Sequence, residues 1–180
     1  MPATAAHLLC LRDDARLTAR PIRPDDKDAL VAFFARLSPE SRRRRFLAPK
    51  PRLTARDLAL LTEVDGRAHV ALVALDREGA IVGVARYAGW PDRPERADVA
   101  FAVADDWHGR GLATVLGDRL VEHARRAGLT ALTGSTLGEN GPARSLLRRL
   151  GFRPVGHSAG VAEYELPLAV PAAPPLAAAA

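Results

Sequence analysis

A chain of 180 residues, 48% hydrophobic and 26% charged, has the length for one domain with a real core and the composition of an ordered protein, which excludes a wholly disordered chain and a pair of full domains. Its net charge of +5 rests almost wholly on arginine, since Lys27 and Lys50 are the only lysines; that surplus suits an acidic ligand such as a nucleotide phosphate, while 5% aromatic content without an interleaved basic-aromatic patch argues against nucleic acid. The lone Cys10 excludes an internal disulfide, the scattered histidines give no zinc spacing, and no apolar run reaches the roughly 18 residues of a membrane span, so we expect no metal, no membrane and a reducing cytoplasm.

In chain order, Leu8 to Leu11 and Arg16 to Ile22 read as short strands around an Asp13-Asp14 turn. Pro24, Asp25 and Asp26 open a helix whose apolar residues Leu30, Phe33, Phe34 and Leu37 recur at helical spacing. Ser38, followed by Pro39 at the first helical position, caps a second helix, and its run Arg42 to Arg45 reads first as a solvated face, with an acidic protein surface or a ligand's phosphates as the alternatives. Thr54 with Asp57 caps a third through Leu58, Leu60 and Leu61. Ala68 to Leu75, Ala80 to Tyr87 and Arg96 to Ala104 form an antiparallel meander, the last strand following a loop rich in Pro91, Asp92 and Pro94.

The segment Gly111 to Arg126 carries Leu112, Leu116, Leu120 and Ala124 as the apolar stripe of a long helix that Gly128 ends. Leu129 to Ser135 is a strand, Asn140 caps a final helix that stops at Gly151, and Val161 to Leu166 is the last strand. The domain therefore spans 14–167, preceded by an extension over 1–13 that can add an edge strand and followed by an alanine-proline tail over 168–180, expected to be disordered.

Chemistry concentrates where the strand Arg96 to Ala104 runs through Asp105-Asp106-Trp107-His108-Gly109-Arg110-Gly111-Leu112-Ala113 into a helix. Unpaired N–H groups of a first helical turn, the helix dipole and two glycines together make a cradle for an anion, and a diphosphate fits it. By itself a Gly-x-Gly is only a tight turn. Here a second motif follows in the right order: Glu139-Asn140-Gly141-Pro142-Ala143, then a helix and Gly151-Phe152.

These residues resemble the GNAT acetyltransferase superfamily. His108-Gly109-Arg110-Gly111-Leu112-Ala113 matches its Gln/Arg-x-x-Gly-x-Gly/Ala signature except at the first position, and the Asn140 stretch matches its second cofactor motif. Arg20 to Asp26, Leu37 to Ser41 with Arg45-Phe46, and Ile81 to Tyr87 bring the chain closest to the acetyltransferase domain of bacterial protein-lysine acetyltransferases. The resemblance implies an α+β fold, an α/β/α sandwich. Its central sheet is mixed, mostly antiparallel, of about six to seven strands, splayed between the fourth and fifth, with helices on both faces.

The resemblance further implies acetyl-CoA as co-substrate and a primary amine as acceptor, a protein lysine first and a small amine second, in a monomer or homodimer. Backbone groups of Phe101, Ala102 and Val103 would line the pantetheine arm; His108, Gly109, Arg110, Gly111, Leu112, Ala113 and Thr114 would hold the diphosphate; Asn140 would approach from the other side of the splay. A lysine amine, with a pKa of ~10.4, is neutral in only about one molecule in 2,500 at pH 7, a deficit of ~4.6 kcal/mol. A general base recovers about 10²–10⁴-fold. Asp98 stands where the family carries a catalytic glutamate, with Glu139 in reserve, and a β-bulge would free the Val103 N–H for the oxyanion. Leu147 fills the position of the usual tyrosine acid, leaving Tyr87 and Tyr164 as substitutes. The departures at Asp98, His108 and Leu147 also fit a degenerate, non-catalytic acyl-CoA-binding module.

Overall fold

Alternating apolar residues in the meander demand a sheet with two covered faces, and a computed structural model describing residues 6–168 supplies it. The tail expected over 168–180 lies, beyond its first residue, outside the described residues. Eight strands, β1 (His7–Cys10), β2 (Arg16–Pro21), β3 (His69–Leu75), β4 (Ile81–Trp90), β5 (Arg93–Val103), β6 (Ala131–Leu137), β7 (Arg153–Ser158) and β8 (Val161–Pro167), form one sheet in the order β1-β2-β3-β4-β5-β6-β8-β7. Five helices cover it: α1 (Lys27–Arg36), α2 (Pro39–Phe46), α3 (Ala55–Thr62), α4 (Leu112–Arg126) and α5 (Gly141–Arg149).

Each helix starts where its cap dictates. Ser38 accepts from the Ser41 N–H ahead of α2, Thr54 and Asp57 form a reciprocal capping box ahead of α3, and Asn140 accepts from the Ala143 N–H ahead of α5. On one face Leu30, Phe33 and Phe34 of α1 pack with Ile22, Val73 and Ile81. On the other, Leu112, Leu116 and Leu120 of α4 join Leu147 and Leu150 against Val82, Tyr87 and Val99. Each fully buried leucine or phenylalanine contributes about 1.5–3 kcal/mol relative to exposure.

Every neighbouring pair is antiparallel except β5 and β6, which run parallel and meet at only three positions, Arg96↔Ala131, Ala97↔Leu132 and Asp98↔Thr133. From Val99 and Gly134 onward the two strands diverge. They are the fourth and fifth strands counted from Arg16, so the V-shaped opening sits where the splay is expected.

Two features differ from the sequence reading. The eighth strand, β7, is exposed at all six positions and holds Pro154 and Gly156, so this edge strand has no inward-facing alternation to betray it. The second concerns the bulge on β5. Pairing with β4 runs unbroken from Gly83↔Val103 to Gly89↔Ala97 and shifts only between Gly89 and Trp90, beside the turn. Plain alternation frees the Val103 N–H instead. The Ala104 N–H donates to the Val82 carbonyl at 2.9 Å, so Ala104, Ala102 and Ala100 direct their N–H groups at β4, while Phe101 and Val103 direct theirs into the opening.

Candidate active site

The V between β5 and β6 widens into a cavity of about 510 Å³, within the ordinary size of a small-molecule site. One wall is β5 from Val99 to Val103, the other β6 from Gly134 to Thr136 with α5 behind it, and the start of α4 closes one end. Phe101, Ala102, Val103, His108, Gly109, Gly111, Leu112, Ala113, Thr114 and Asn140 all line this one space.

At the α4 end, Gly109 (φ 77°) and Gly111 (φ 87°) both hold left-handed backbone, which costs an L-residue with a β-carbon about 1–2 kcal/mol. Nothing lies within 4 Å of a β-carbon built on Gly109, so the backbone is open to a ligand. No side chain caps α4. Among the described residues the N–H groups of Leu112 and Ala113 have no acceptor, the first intrahelical donors being Thr114 and Val115 to the Gly111 carbonyl. Free donors at a positive helix end favour an anion.

Two side chains of the signature turn elsewhere. His108 Nε2 lies 3.0 Å from the Val103 carbonyl, tying the loop to the end of β5. The Arg110 guanidinium stacks over the Trp107 ring, 4.6 Å from its centroid, and pairs with Asp13 at 3.4 Å, outside the cavity lining. In its place Arg12, from the turn between β1 and β2, lines the cavity, with its Nε 3.8 Å from a β-carbon built on Gly111. Sequence reasoning missed Arg12, and only the pairing of β1 with β2 brings it there. Asn140 is buried, caps α5 through Oδ1 at 3.2 Å, and lines the wall opposite β5.

Asp98 sits at the apex of the V, on the face of β5 shared with Ala100 and Ala102, just beyond the residues lining the cavity. Its carboxylate accepts from Thr133 Oγ1 at 3.0 Å and makes no ion pair among the described residues: Arg96 is taken by Glu165. The residue touches solvent, yet protein crowds the carboxylate enough that burial raises its pKa, against smaller lowering effects from the Thr133 hydrogen bond and the Arg45 charge. That is the direction a general base needs. Glu139 is instead held ionised, with its pKa lowered by Arg43 at 2.7 Å.

The tyrosines are structural. Tyr87 is fully buried on the α4 side and donates to the Arg67 carbonyl at 3.0 Å, and Tyr164 accepts from Arg144 Nε at 3.3 Å; neither lines the cavity. Nor is the arginine run of α2 a plain solvated face. Arg42 donates to the Phe34 and Ala35 carbonyls, Arg43 bridges Glu40 and Glu139, Arg44 pairs with Glu40, and Arg45 lines the cavity.

The family model of the GNAT acetyltransferase domain matches residues 16–153. An acetyltransferase of Pseudomonas aeruginosa is 34% identical over 145 residues, which is 79% of this chain and 77% of that protein. The GNAT domain of PAT from S. lividans is 31% identical in sequence and superposes with a TM-score of 0.86, over 93% of this chain and 99% of that one. A phosphinothricin acetyltransferase from Sinorhizobium meliloti, 20% identical and solved in complex with acetyl-CoA, shares the fold at a TM-score of 0.68, over 84% of this chain and 88% of that one. With its splayed sheet, its uncapped helix at the mouth of the splay and more than two thirds of its length under one family model, the chain belongs to the GNAT acetyltransferase family and is an acyltransferase.

Proposed function

We propose that the chain transfers the acetyl group of acetyl-CoA to a primary amine by direct attack in a ternary complex. The observation that carries this reading is the alignment of two sets of free backbone donors, Leu112 and Ala113 at the start of α4 and Phe101 and Val103 along the opening, on a single cavity. The cavity also fits the cofactor by what it leaves unsatisfied: Thr136, on the β6 wall, holds a buried hydroxyl with no partner among the described residues. Acetyl-CoA supplies an activated thioester there.

The chain's own groups do the rest. Backbone N–H groups from Gly109 to Ala113, with the Arg12 guanidinium beside them and Thr114 lining the same end of the cavity, hold the diphosphate. The Phe101 backbone, facing the opening, hydrogen-bonds the pantetheine arm as a missing strand neighbour would, Ala102 lines the arm without bonding it, and Asn140 meets it from the β6 side. The Val103 N–H, aimed into the opening, stabilises the oxyanion, an effect of about 3 kcal/mol for one donor. His108, bonded to the Val103 carbonyl, fixes the end of β5 on which that donor sits. Asp98 takes the proton of the attacking ammonium through a water at the apex, because its short side chain stops outside the cavity lining. With Leu147 buried at the tyrosine position, the thiolate, whose ordinary pKa is ~8.5, leaves without a side-chain acid.

Two acceptor classes fit this chemistry, a protein lysine and a small amine. The resemblance to bacterial protein-lysine acetyltransferases supports the first; the Arg45 guanidinium in the field of Asp98, suited to a small amine that also carries an acid group, supports the second. Calorimetry with acetyl-CoA and CoA release with an amine panel test the reading. Saturable binding that Gly111→Glu abolishes, together with amine-dependent CoA release, supports it, and binding unaffected by Gly111→Glu refutes it.

A further inference from the structure

Two guanidinium groups on the acceptor side have no carboxylate in contact. Arg86 rises from the middle of β4 and is 5% exposed. Its Nη2 contacts the Leu60 and Leu61 carbonyls at 3.5 and 3.2 Å and His69 Nε2 at 2.7 Å, all uncharged partners if that histidine is neutral, as burial and the Arg86 charge favour. Arg45, at the end of α2, lies with its Cζ 4.8 Å from the centroid of the Phe46 ring and makes no hydrogen bond or ion pair with any described residue. Arg86 and Arg45 line a small second cavity of about 30 Å³ beneath α2, and Arg45 alone of the pair also lines the main cleft.

The charges around them do not balance. Burial lowers both arginines to about 10; Asp98 is the one carboxylate whose field reaches Arg45, and Arg86 feels no carboxylate, only repulsion from Arg45. The surface of Arg45 is only part-covered, and the burial of its charged group is what lowers it. Buried cations are ordinarily paired, since desolvation otherwise goes uncompensated. Arg43 and Arg44 of α2 obey that rule through Glu40 and Glu139, and Arg42 donates to the Phe34 and Ala35 carbonyls. Two guanidinium groups, of which only Arg45 lies in the field of Asp98, leave the acceptor side one negative charge short among the described residues.

We propose that Arg45, backed by Arg86, receives a carboxylate carried by the acceptor itself, so that the acceptor is a free amino acid whose amine faces Asp98. The guanidinium fork matches a planar carboxylate, and its place on the Asp98 side of β5 puts amine and acid recognition on one face of the cleft. A protein lysine brings a cation and no obligatory anion to this place. The proposal rests on the acetyl-transfer reading and adds the acceptor class to it.

The test measures kcat/KM of the full chain with acetyl-CoA and a panel of amino acids, each beside its carboxamide, its decarboxylated amine and a lysine peptide. The expected result is an acid at least tenfold better than its amide, mainly through KM, a preference that collapses below threefold in Arg45→Met and partly returns in Arg45→Lys. Equal rates on acid and amide, a better rate on the lysine peptide, or an acid preference that survives in Arg45→Met overturns the proposal while leaving acetyl transfer in place. The wild-type comparison decides by itself if the variants do not fold. A chain that binds acetyl-CoA yet acetylates no amine defeats both.

Discussion

At the scale of single residues, Asp98 carries the sharpest expectation. Asp98→Asn keeps the shape of the apex and removes the base, so kcat falls at least tenfold while the calorimetric Kd for acetyl-CoA stays within about threefold, a base being worth about 10²–10⁴ in rate. A base works ionised, and burial raises the pKa of Asp98. The acid limb of kcat/KM therefore lies above the ordinary aspartate value of ~3.9, and activity is lost as pH falls through the raised value. Thr133→Val removes a hydrogen bond that favours the ionised form. The limb then moves further up, and a limb that stays put or moves down in that variant removes Asp98 from the role.

The same residue imposes a stability cost of known sign. A carboxyl that binds its proton more tightly folded than unfolded loses folding free energy as pH rises between the two pKa values. Asp98 was legible in the sequence because it lies on the strand that leads into a recognisable motif. Arg45 was not. In a run from Arg42 to Arg45 every member has the same chemistry, and only the rotation of α2 against the sheet sends Arg42 to a carbonyl pair, Arg43 and Arg44 to glutamates, and Arg45 without a carboxylate to the cleft that Arg44 also lines.

At the scale of elements, the start of α4 is the most readable piece of the chain, since a glycine turn leading into an apolar stripe can only be a helix with a bare N-terminus. Gly111 separates backbone strain from charge. Gly111→Ala meets only ordinary contact with the Arg12 side chain, at 3.8 Å, and costs only the left-handed penalty of about 1–2 kcal/mol. Gly111→Glu adds a negative charge beside the diphosphate donors, so its acetyl-CoA Kd rises at least tenfold above that of the alanine variant in calorimetry. Equal affinities for the two would deny the loop its phosphates.

The link between β2 and α1 is a second element-scale case. Arg20 grips Asp26 through two bonds of 2.7 Å, and the Arg23 N–H adds a third at 2.7 Å, both side chains being largely buried. The Arg20 hydrogen bond is the largest reason the Asp26 pKa is lowered. Stability from this group is present above the unfolded value of ~3.9 and is lost as pH falls through the lowered one. Asp26→Ala should cost about 2 kcal/mol at pH 7 by urea unfolding, and much less at pH 2. By contrast β7 left no trace in the sequence. An edge strand with Pro154, Gly156 and six exposed positions borrows its geometry from β8, and no local pattern records that.

For the whole molecule, the sheet is two blades, β1 to β5 and β6 to β8, hydrogen-bonded to each other at three residue pairs. Seven of the eight strands and the helix order follow from the residues, but the divergence after Asp98↔Thr133 follows only from the family resemblance, because it depends on pairing that fails to occur. A ligand lying in the V completes both edges, so binding adds to the stability of the entire fold. At a free concentration near 100 times Kd the gain is about 2.7 kcal/mol. For a domain of this size that raises Tm by about 5–10 °C, and in Gly111→Glu the rise should vanish at the same concentration. Hydrogen exchange then locates the ligand. The N–H groups of Phe101 and Val103 face the opening without a strand partner, so they exchange fast in the free protein and slow when the gap is filled, whereas Ala102 and Ala104, already bonded to β4, change little. A raised Tm with no slowing at Phe101 and Val103 would place acetyl-CoA outside the V and remove the oxyanion donor with it.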